Sequence, residues 1–177
     1  IDVKFNDAIG REWQGATIQL DFQLPERFRL EYTGTDNRPH QPVMIHRAIY
    51  GTLERFLGFL IEHFAGAFPL WLSPEQVRVL PIADAQLDAA RRVDAALRAA
   101  GLRSIVDERS ETLSYKVRDG ETHKVPYLAV VGQREAEAGT VAVRVRGAAE
   151  KQKVVALDEF VGRLVDEVRT RALRPSL

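Results

Sequence analysis

The stretch QVRVLPIADAQLDAARRVDAALRAAG, residues 76–101, decides the fold class of the second half of the chain. Its first eight residues are typical of a strand, and the rest follows the helical period. Asp84 is the expected N-cap of this helix, and Gly101 is the expected stop. The side chains expected to face inward are Leu87, Ala90, Val93 and Leu97. A strand followed by a helix predicts a sheet with helices packed on it.

The same alternation continues to the end of the chain. Further strands are predicted at RSIVDE (103–108), VPYLAVVG (125–132) and TVAVRVRG (140–147), and QREAEAG (133–139) joins the last two. Helices are predicted at TLSYKVRDGE (112–121) and LDEFVGRLVDEVRTRAL (157–173). The weakly charged residues 151–153 are expected to be a link. From Gln76 onward the predicted order is β-α-β-α-β-β-α, which indicates a mixed sheet covered by helices.

The first 72 residues have a different pattern. IDVKF (1–5) is typical of a strand, and ATIQLDFQL (16–24) alternates between an apolar face and a polar face. Apolar residues from Ile45 to about Glu62 recur at helical spacing, so PVMIHRAIYGTLERFLG (42–58) predicts one helix with His46 at its start. Ser73-Pro74 interrupts this pattern. We therefore expect an α/β (α+β) chain with two domains, residues 1–72 and 73–177.

The composition excludes several classes of protein. The 177 residues contain 25 Lys+Arg and 25 Asp+Glu, so there is no overall positive field of the kind that attracts nucleic acid, although a local basic patch is compatible with this balance. There is no cysteine, so neither a disulfide nor a cysteine-bound metal can come from this chain alone. No apolar run is long enough to span a membrane. Because the chain begins at Ile1 within a strand, we expect a piece of a longer protein, with apolar surface exposed in its first domain.

Two residues of the predicted helix are candidates for a functional site. His46 alone does not make a metal site, because zinc typically takes three protein ligands and no other histidine has a matching spacing; a structural histidine is the alternative. Arg55 is expected near a buried face, where a guanidinium needs an anion such as phosphate. A solvent-exposed arginine is the alternative.

Polar and basic residues provide two further candidates. Gln14, Thr17 and Gln19 form either an exposed sheet face or the polar floor of a pocket opposite His46 and Arg55. The second domain contains basic residues that are ordinarily solvated: Arg109, Lys116, Arg118, Lys124, Arg144 and Arg146. Arg144 and Arg146 share one face of a predicted strand, which indicates a ligand-facing surface.

Three segments together resemble the C-terminal part of bacterial threonyl-tRNA synthetases. They are WQGATIQLDF (13–22), PVMIHRAIYGTLERFLG (42–58) and FAGAFPLWLSPEQVRVLPI (64–82). GTLERF is similar to the third signature motif of class II aminoacyl-tRNA synthetases, and PVMIHRA is more specific to the threonyl enzymes. The resemblance covers essentially the whole chain. It implies the end of a class II antiparallel-sheet catalytic domain followed by a mixed-sheet anticodon-binding domain.

The resemblance also implies roles for individual residues. Arg55 matches the arginine that binds the ATP triphosphate and is the implied catalytic residue. The positions that match the ATP and adenylate site are Gln14, Thr17, Gln19, Ala48, Gly51, Thr52 and Arg55. His46 matches a zinc ligand, with the two other ligands upstream of this chain. In the second domain, Ser110, Glu135 and Arg144 match anticodon-binding positions, although Ser110 departs from the asparagine usual in the family.

The implied function is part of a threonine–tRNA ligase, which activates threonine with ATP and transfers it to tRNA(Thr). The implied cofactors are Zn²⁺, which separates threonine from the nearly isosteric valine, and Mg²⁺ with ATP. The full-length enzymes are expected to be cytoplasmic homodimers without a membrane segment, and this chain alone is expected to be inactive. The alternative is a non-catalytic RNA-binding paralogue that keeps the anticodon-binding domain and a catalytic remnant.

Overall fold

A computed structural model describes residues 1–148 and 152–177, which fall into two compact units, Ile1–Gly66 and Ala67–Leu177. We call them unit 1 and unit 2 and describe each by itself. Lys151, part of the expected link, lies outside the described residues. Among the described residues, no helix is long and apolar enough to cross a membrane.

Unit 1 is built on a three-stranded antiparallel sheet. Its elements in chain order are β1 (Asp2–Asn6), β2 (Glu12–Asp21), α1 (Gln23–Arg27), β3 (Tyr32–Thr33), β4 (Pro39–His40), β5 (Met44–Ala48) and α2 (Leu53–His63). The sheet order is β1-β2-β5, and β3 and β4 form a separate two-stranded ladder. Helix α2 packs on one face of the sheet, where the ring of Phe59 lies 4.8 Å from that of Phe5 and 5.2 Å from that of Trp13.

The single helix expected over residues 42–58 is wrong. Met44–Ala48 form β5, which pairs with β2, and α2 begins only at Leu53. The spacing of Ile45, Ile49 and Leu53 fits a helix, but the backbone of residues 44–48 pairs with β2 instead. Gly51 then adopts a φ of +70°, a left-handed conformation that separates the strand from the helix.

Unit 2 is a five-stranded mixed sheet with helices on both faces. Its elements are β6 (Val77–Pro81), a 3₁₀ turn (Asp84–Gln86), α3 (Leu87–Ala99), β7 (Ser104–Val106), α4 (Leu113–Thr122), β8 (Tyr127–Val131), α5 (Gln133–Ala138), β9 (Thr140–Val145), β10 (Lys153–Ala156) and α6 (Leu157–Thr170). The sheet order is β10-β9-β8-β6-β7. Strand β6 is parallel to β7 and β8, and β9 is antiparallel to β8 and β10.

The predicted mixed α/β architecture of unit 2 is confirmed, and the structure adds two elements to the predicted order. QREAEAG contains α5, which ends at Gly139 with a φ of +66°, and β10 pairs with β9. Asp84 is not an N-cap, because it lies inside the 3₁₀ turn and α3 begins three residues later. Gly101 does end that helix region, with a φ of +80°.

Two apolar clusters, one on each face, hold unit 2 together. The larger includes Val77, Leu97, Phe160 and Leu164, each fully buried, and it joins α3 and α6 to the sheet. The smaller lies under α4 and includes Leu128, Val130 and Ala142. Burial on both faces explains why β6 and β8 are nearly continuous apolar runs.

Candidate functional site

The register between β2 and β5 brings polar side chains of unit 1 onto one face of its sheet. Thr17 lies directly opposite Ala48, and Gln19 lies directly opposite His46. Directly opposed residues of antiparallel strands project to the same face. His46 is therefore a strand residue beside Gln19, not the first residue of a helix facing it. We call this surface, which carries Gln14, Thr17, Gln19, Asp21, His46 and Ala48, the polar sheet face.

A bulge in β2 adds Gln14 to the polar sheet face. Between the pairs Lys4–Gln14 and Asp2–Thr17, β1 advances by two residues and β2 by three. The extra residue reverses the alternation, so Gln14 and Thr17 project to the same side. Both side chains donate hydrogen bonds to Oδ1 of Asp2, and the distance from Gln14 Nε2 is 2.7 Å. The grouping of Gln14 with Thr17 thus depends on an irregularity of the strand.

Asp21 holds the imidazole of His46. Its Oδ2 lies 2.9 Å from His46 Nε2, and its Oδ1 accepts hydrogen bonds from the backbone N–H groups of Gln23 and Leu24 at 2.9 and 3.0 Å. The bond from Leu24, followed by that from His46, keeps the pKa of Asp21 below its ordinary value. A carboxylate fixed in this way sets the orientation of the ring.

The start of α2 lies next to the bulge of β2. A Cβ at Gly51 would lie 3.4 Å from the carbonyl oxygen of Gly15, so Gly51 allows a close approach of the two backbones. Thr52 is the N-cap residue of α2, and Arg55 lies in its first turn. The same turn thus sets Thr52 and Arg55 at the end of the sheet that carries Gln14 and Thr17.

The expectation that Arg55 lies near a buried face is wrong for the described structure. Arg55 is exposed, as are its neighbours Leu53 and Leu57, and α2 has no fully buried residue. Only the side of α2 that carries Phe59 contacts the sheet, because the sheet has three strands and offers a narrow apolar surface. Within the described residues, the Arg55 guanidinium has no hydrogen bond or ion pair with the protein.

The polar sheet face offers one side chain suited to zinc. His46 is exposed, and when Nε2 bonds to Asp21 its Nδ1 is left as a potential ligand atom. No group of three His, Cys, Asp or Glu side chains in the described ranges 1–148 and 152–177 could complete a site. The residues therefore fit a single ligand position and not a whole zinc centre.

Two of the three expected anticodon residues lie at the same edge of the unit 2 sheet, namely the edge formed by the carboxyl ends of its parallel strands. Ser110 follows β7 and Glu135 follows β8, and the carboxyl ends of these parallel strands point the same way, with β6 between them. Ser110 is exposed. Glu135 accepts a hydrogen bond from the backbone N–H of Gly132 at 3.0 Å through Oε2. That bond fixes its carboxylate and leaves Oε1 for another donor.

Arg144 is set back from this edge. Arg144 is on β9, opposite Leu128 of β8. Leu128 lies three residues before the end of β8, which is roughly 10 Å along the strand. Its Nη2 donates to Oε1 of Glu121 on α4 at 3.2 Å, and 27% of its side chain is exposed. Ser110 and Glu135 therefore lie at the carboxyl ends of the strands, whereas Arg144 lies farther back along the sheet.

Three of the six basic residues expected to be solvated in the second domain are bound to the protein itself. Arg146 donates to the carbonyl oxygens of Lys124, Ala67 and Phe68. Lys116 is buried and donates to backbone carbonyl groups, and Arg109 is paired with carboxylates. The hydrogen bond from Arg109 is the main reason why the pKa of Asp107 is lowered. The expected pairing of Arg144 with Arg146 on a ligand surface is therefore wrong.

Sequence reasoning missed Asp21 and Glu121, the partners of His46 and Arg144. Asp21 carried a signal, because it alternates with Thr17 and Gln19 on the polar side of β2. Glu121 carried none, since its position beside Arg144 depends on how α4 packs on the sheet.

The folds and surfaces of the two units define a class of protein. Residues 76–167 match the family model described as "Anticodon binding domain", and residues 1–64 match "tRNA synthetase class II core domain (G, H, P, S and T)". The chain therefore belongs to the anticodon-binding domain family and carries a segment of a class II core.

The curated relatives of the chain are threonine–tRNA ligases. It is 52% identical to the enzyme of Thermotoga neapolitana over 100% of this chain and 28% of that protein. It is 53% identical to the enzyme of Syntrophomonas wolfei over 98% of this chain and 27% of that protein. The resemblance to threonyl-tRNA synthetases is thereby confirmed, and the chain spans little more than a quarter of the length of these relatives.

A solved structure supports the same relationship. The "RNA binding domain of Threonyl-tRNA synthetase" from Cryptosporidium parvum matches with a TM-score of 0.80 and 36% identity, over 93% of this chain and 42% of that chain.

Proposed function

We propose that the chain is the C-terminal part of a threonine–tRNA ligase, with residues 1–72 serving the catalytic domain and residues 73–177 reading the anticodon. The observation that carries the catalytic half is the register of β2 with β5, which gathers Thr17, Gln19 and His46 on one face. The observation that carries the other half is the match of residues 76–167 to anticodon-binding domains. A cytoplasmic, dimeric parent enzyme is part of the same proposal.

The polar sheet face would bind the adenylate. In the proposed reaction, a threonine carboxylate oxygen attacks the α-phosphate of ATP and pyrophosphate leaves; the tRNA ribose hydroxyl then attacks the carbonyl group and AMP leaves. Gln14, Thr17 and Gln19 supply hydrogen bonds along β2, and Ala48 leaves room for a flat base. Gly51 and Thr52, at the start of α2, would lie beside the adenine, and the exposed guanidinium of Arg55 would bind the triphosphate.

His46 would supply one of three protein ligands to zinc, with Asp21 orienting its ring. When bound, the metal would supply a coordination site for the amino and hydroxyl groups of threonine, which valine cannot satisfy. Mg²⁺ would accompany ATP and neutralise its phosphates. Since unit 1 contributes only one ligand among the described residues, we expect the 177-residue chain to show no ATP–pyrophosphate exchange.

Unit 2 would read bases of the tRNA(Thr) anticodon through Ser110, Glu135 and Arg144. Anticodon bases are single-stranded, and proteins read such bases through hydrogen bonds to their exposed edges. Glu accepts from a base amino group, and Arg donates to paired acceptors. Ser110 offers one hydroxyl, so its contact is weaker than that of an amide.

The test is a titration of the chain with tRNA(Thr) and with the same tRNA carrying an altered anticodon, at one fixed salt concentration. We expect a preference for tRNA(Thr), and Arg144→Ala should reduce it by about 1–3 kcal/mol. Arg163→Ala is the matched control, because Arg163 also has a single carboxylate partner, Glu159 at 2.7 Å. Equal binding of both tRNAs by the unaltered chain would contradict the proposal.

A further inference from the structure

The ion pair between Arg144 and Glu121 lies where β9 runs beside α4. Arg144 Nη2 and Glu121 Oε1 are 3.2 Å apart, and the Glu121 side chain is 58% exposed. The Nε of Arg144 is buried and has no hydrogen-bond partner among the described residues. The guanidinium is thus held through one nitrogen and keeps unused donors.

The packing of α4 produces this pair. Leu128 is the cross-strand partner of Arg144, and a Cβ at Gly120 would lie 2.6 Å from Leu128 Cδ2. Helix α4 therefore lies so close to β8 that a side chain at position 120 would have to displace that of Leu128. The next residue, Glu121, then stands beside β9 within reach of Arg144.

We propose that Glu121 determines specificity by keeping Arg144 paired until an RNA presents a base edge with two acceptors. This inference rests on the proposed role of Arg144 in anticodon reading and goes beyond it. Glu121 is a positioning residue in this account, since it acts through Arg144 and need not touch the RNA.

The chemistry of the two possible partners supports this role. A single exposed ion pair is weak and is easily exchanged. A base edge with two acceptors binds an arginine through two bonds, and this exceeds what Glu121 gives. A phosphate attracts any free arginine whatever the sequence, but the Glu121 carboxylate both occupies Arg144 and repels phosphate. An RNA with the wrong base therefore leaves the pair intact and gains nothing from Arg144.

Glu121→Gln in the 177-residue chain tests the inference. It keeps the size of the side chain and removes its charge. Binding is measured with tRNA(Thr) and with the anticodon-altered tRNA at several salt concentrations. We expect Kd for tRNA(Thr) to change by less than about threefold, and Kd for the altered tRNA to fall by roughly five- to tenfold, since Arg144 becomes free to contact a phosphate. The slope of log K against log salt for the altered tRNA should steepen by about 0.7.

Two further variants separate this effect from a general change of charge. Glu159→Gln removes the same charge from α6, which packs on the other face of the sheet, and it should leave the preference unchanged. In an Arg144→Gln background, Glu121→Gln should alter neither the preference nor the salt slope. Thermal melting confirms that each variant is folded.

The outcomes distinguish this inference from the proposed function. If the unaltered chain prefers tRNA(Thr) and loses the preference in Arg144→Ala, the proposed function stands. The inference about Glu121 is overturned if Glu121→Gln strengthens the binding of both tRNAs equally or changes the binding of neither. It is also overturned if Glu121→Gln has the same effect in the Arg144→Gln background. If the unaltered chain shows no preference, the proposed function fails first.

Discussion

The two units of this chain differ in how they bury apolar surface. Unit 2 encloses Val77, Phe160 and Leu164 completely within its own core. In unit 1, all of which the structure describes, Pro25 is the one buried residue, and Leu20 and Ile45 lie opposite each other on the sheet at 62% and 65% exposure. Stability in unit 2 thus comes from a packed core, whereas unit 1 depends on its backbone ladder and a few aromatic contacts.

Removal of one aromatic ring from each unit should show the difference in core packing between the two units most clearly. We expect Phe160→Ala to destabilise unit 2 by about 3–5 kcal/mol, because Phe160 is fully buried. Phe59→Ala, which removes a half-buried ring, should cost unit 1 roughly half as much. Trp13 lies in unit 1 and Trp71 lies in unit 2. Urea unfolding is followed by tryptophan fluorescence in Trp71→Phe and Trp13→Phe backgrounds, which report on unit 1 and unit 2 respectively. Equal losses in the two units would contradict the difference in core packing between them.

A matched pair of glycine substitutions tests the turn that positions Arg55. Gly51 has a φ of +70°, so Gly51→Ala should destabilise unit 1 by about 1–2 kcal/mol. Gly58 lies inside α2 with open space around it, so Gly58→Ala should stabilise the helix by about 0.5–1 kcal/mol. The Trp13 signal during urea unfolding measures both changes. Effects of the same sign would show that the turn does not depend on a left-handed residue.

Alkaline pH should weaken unit 2 through Tyr127. Burial, followed by the hydrogen bond to Glu167, raises the pKa of Tyr127 above its ordinary value of about 10. The folded state therefore keeps a proton that the unfolded state loses, so stability is full below about pH 10 and falls as pH rises further. We expect a loss of about 1 kcal/mol near pH 11. Tyr127→Phe should abolish this loss of stability at alkaline pH, whereas Tyr115→Phe, at an exposed position, should leave it unchanged.

The exposed apolar face of unit 1 should affect association more than stability. Leu20→Thr changes a largely exposed strand residue, so its effect on the free energy of unfolding should stay within about 0.5 kcal/mol. Self-association, measured by sedimentation velocity across a concentration series, should decrease because an apolar patch becomes smaller. Ile105→Thr, at an exposed position of unit 2, is the control. Unchanged association in Leu20→Thr would show that this face plays no part in it.

The sequence predicted unit 2 better than unit 1 for the same physical reason. In α3, Ala90, Val93 and Leu97 are buried as their period predicts, because the unit packs against itself. In unit 1, the spacing of Ile45, Ile49 and Leu53 indicated a helix, but pairing with β2 made residues 44–48 a strand. Local periodicity cannot reveal a pairing between residues that are far apart in the chain.

The candidate sites show the same limit. The strand alternation predicted Thr17 and Gln19 together, whereas the bulge that adds Gln14 depends on the pairing of β2 with β1. The resemblance to the family supplied His46, Arg55 and Arg144, which periodicity alone left undecided. The pairing of Arg144 with Glu121 follows from how α4 packs on the sheet, which the sequence pattern does not reveal.

Hydrogen exchange of the 177-residue chain with and without tRNA(Thr) shows whether unit 2 contacts the RNA, as its proposed role in anticodon reading requires. We expect tRNA(Thr) to slow exchange in residues 108–121, at the N-terminal part of α5 and in β9, and to leave exchange in β2 and β5 unchanged. The anticodon-altered tRNA should give weaker protection at the same places. Protection concentrated in β2 and β5, with none in α4 or β9, would contradict it.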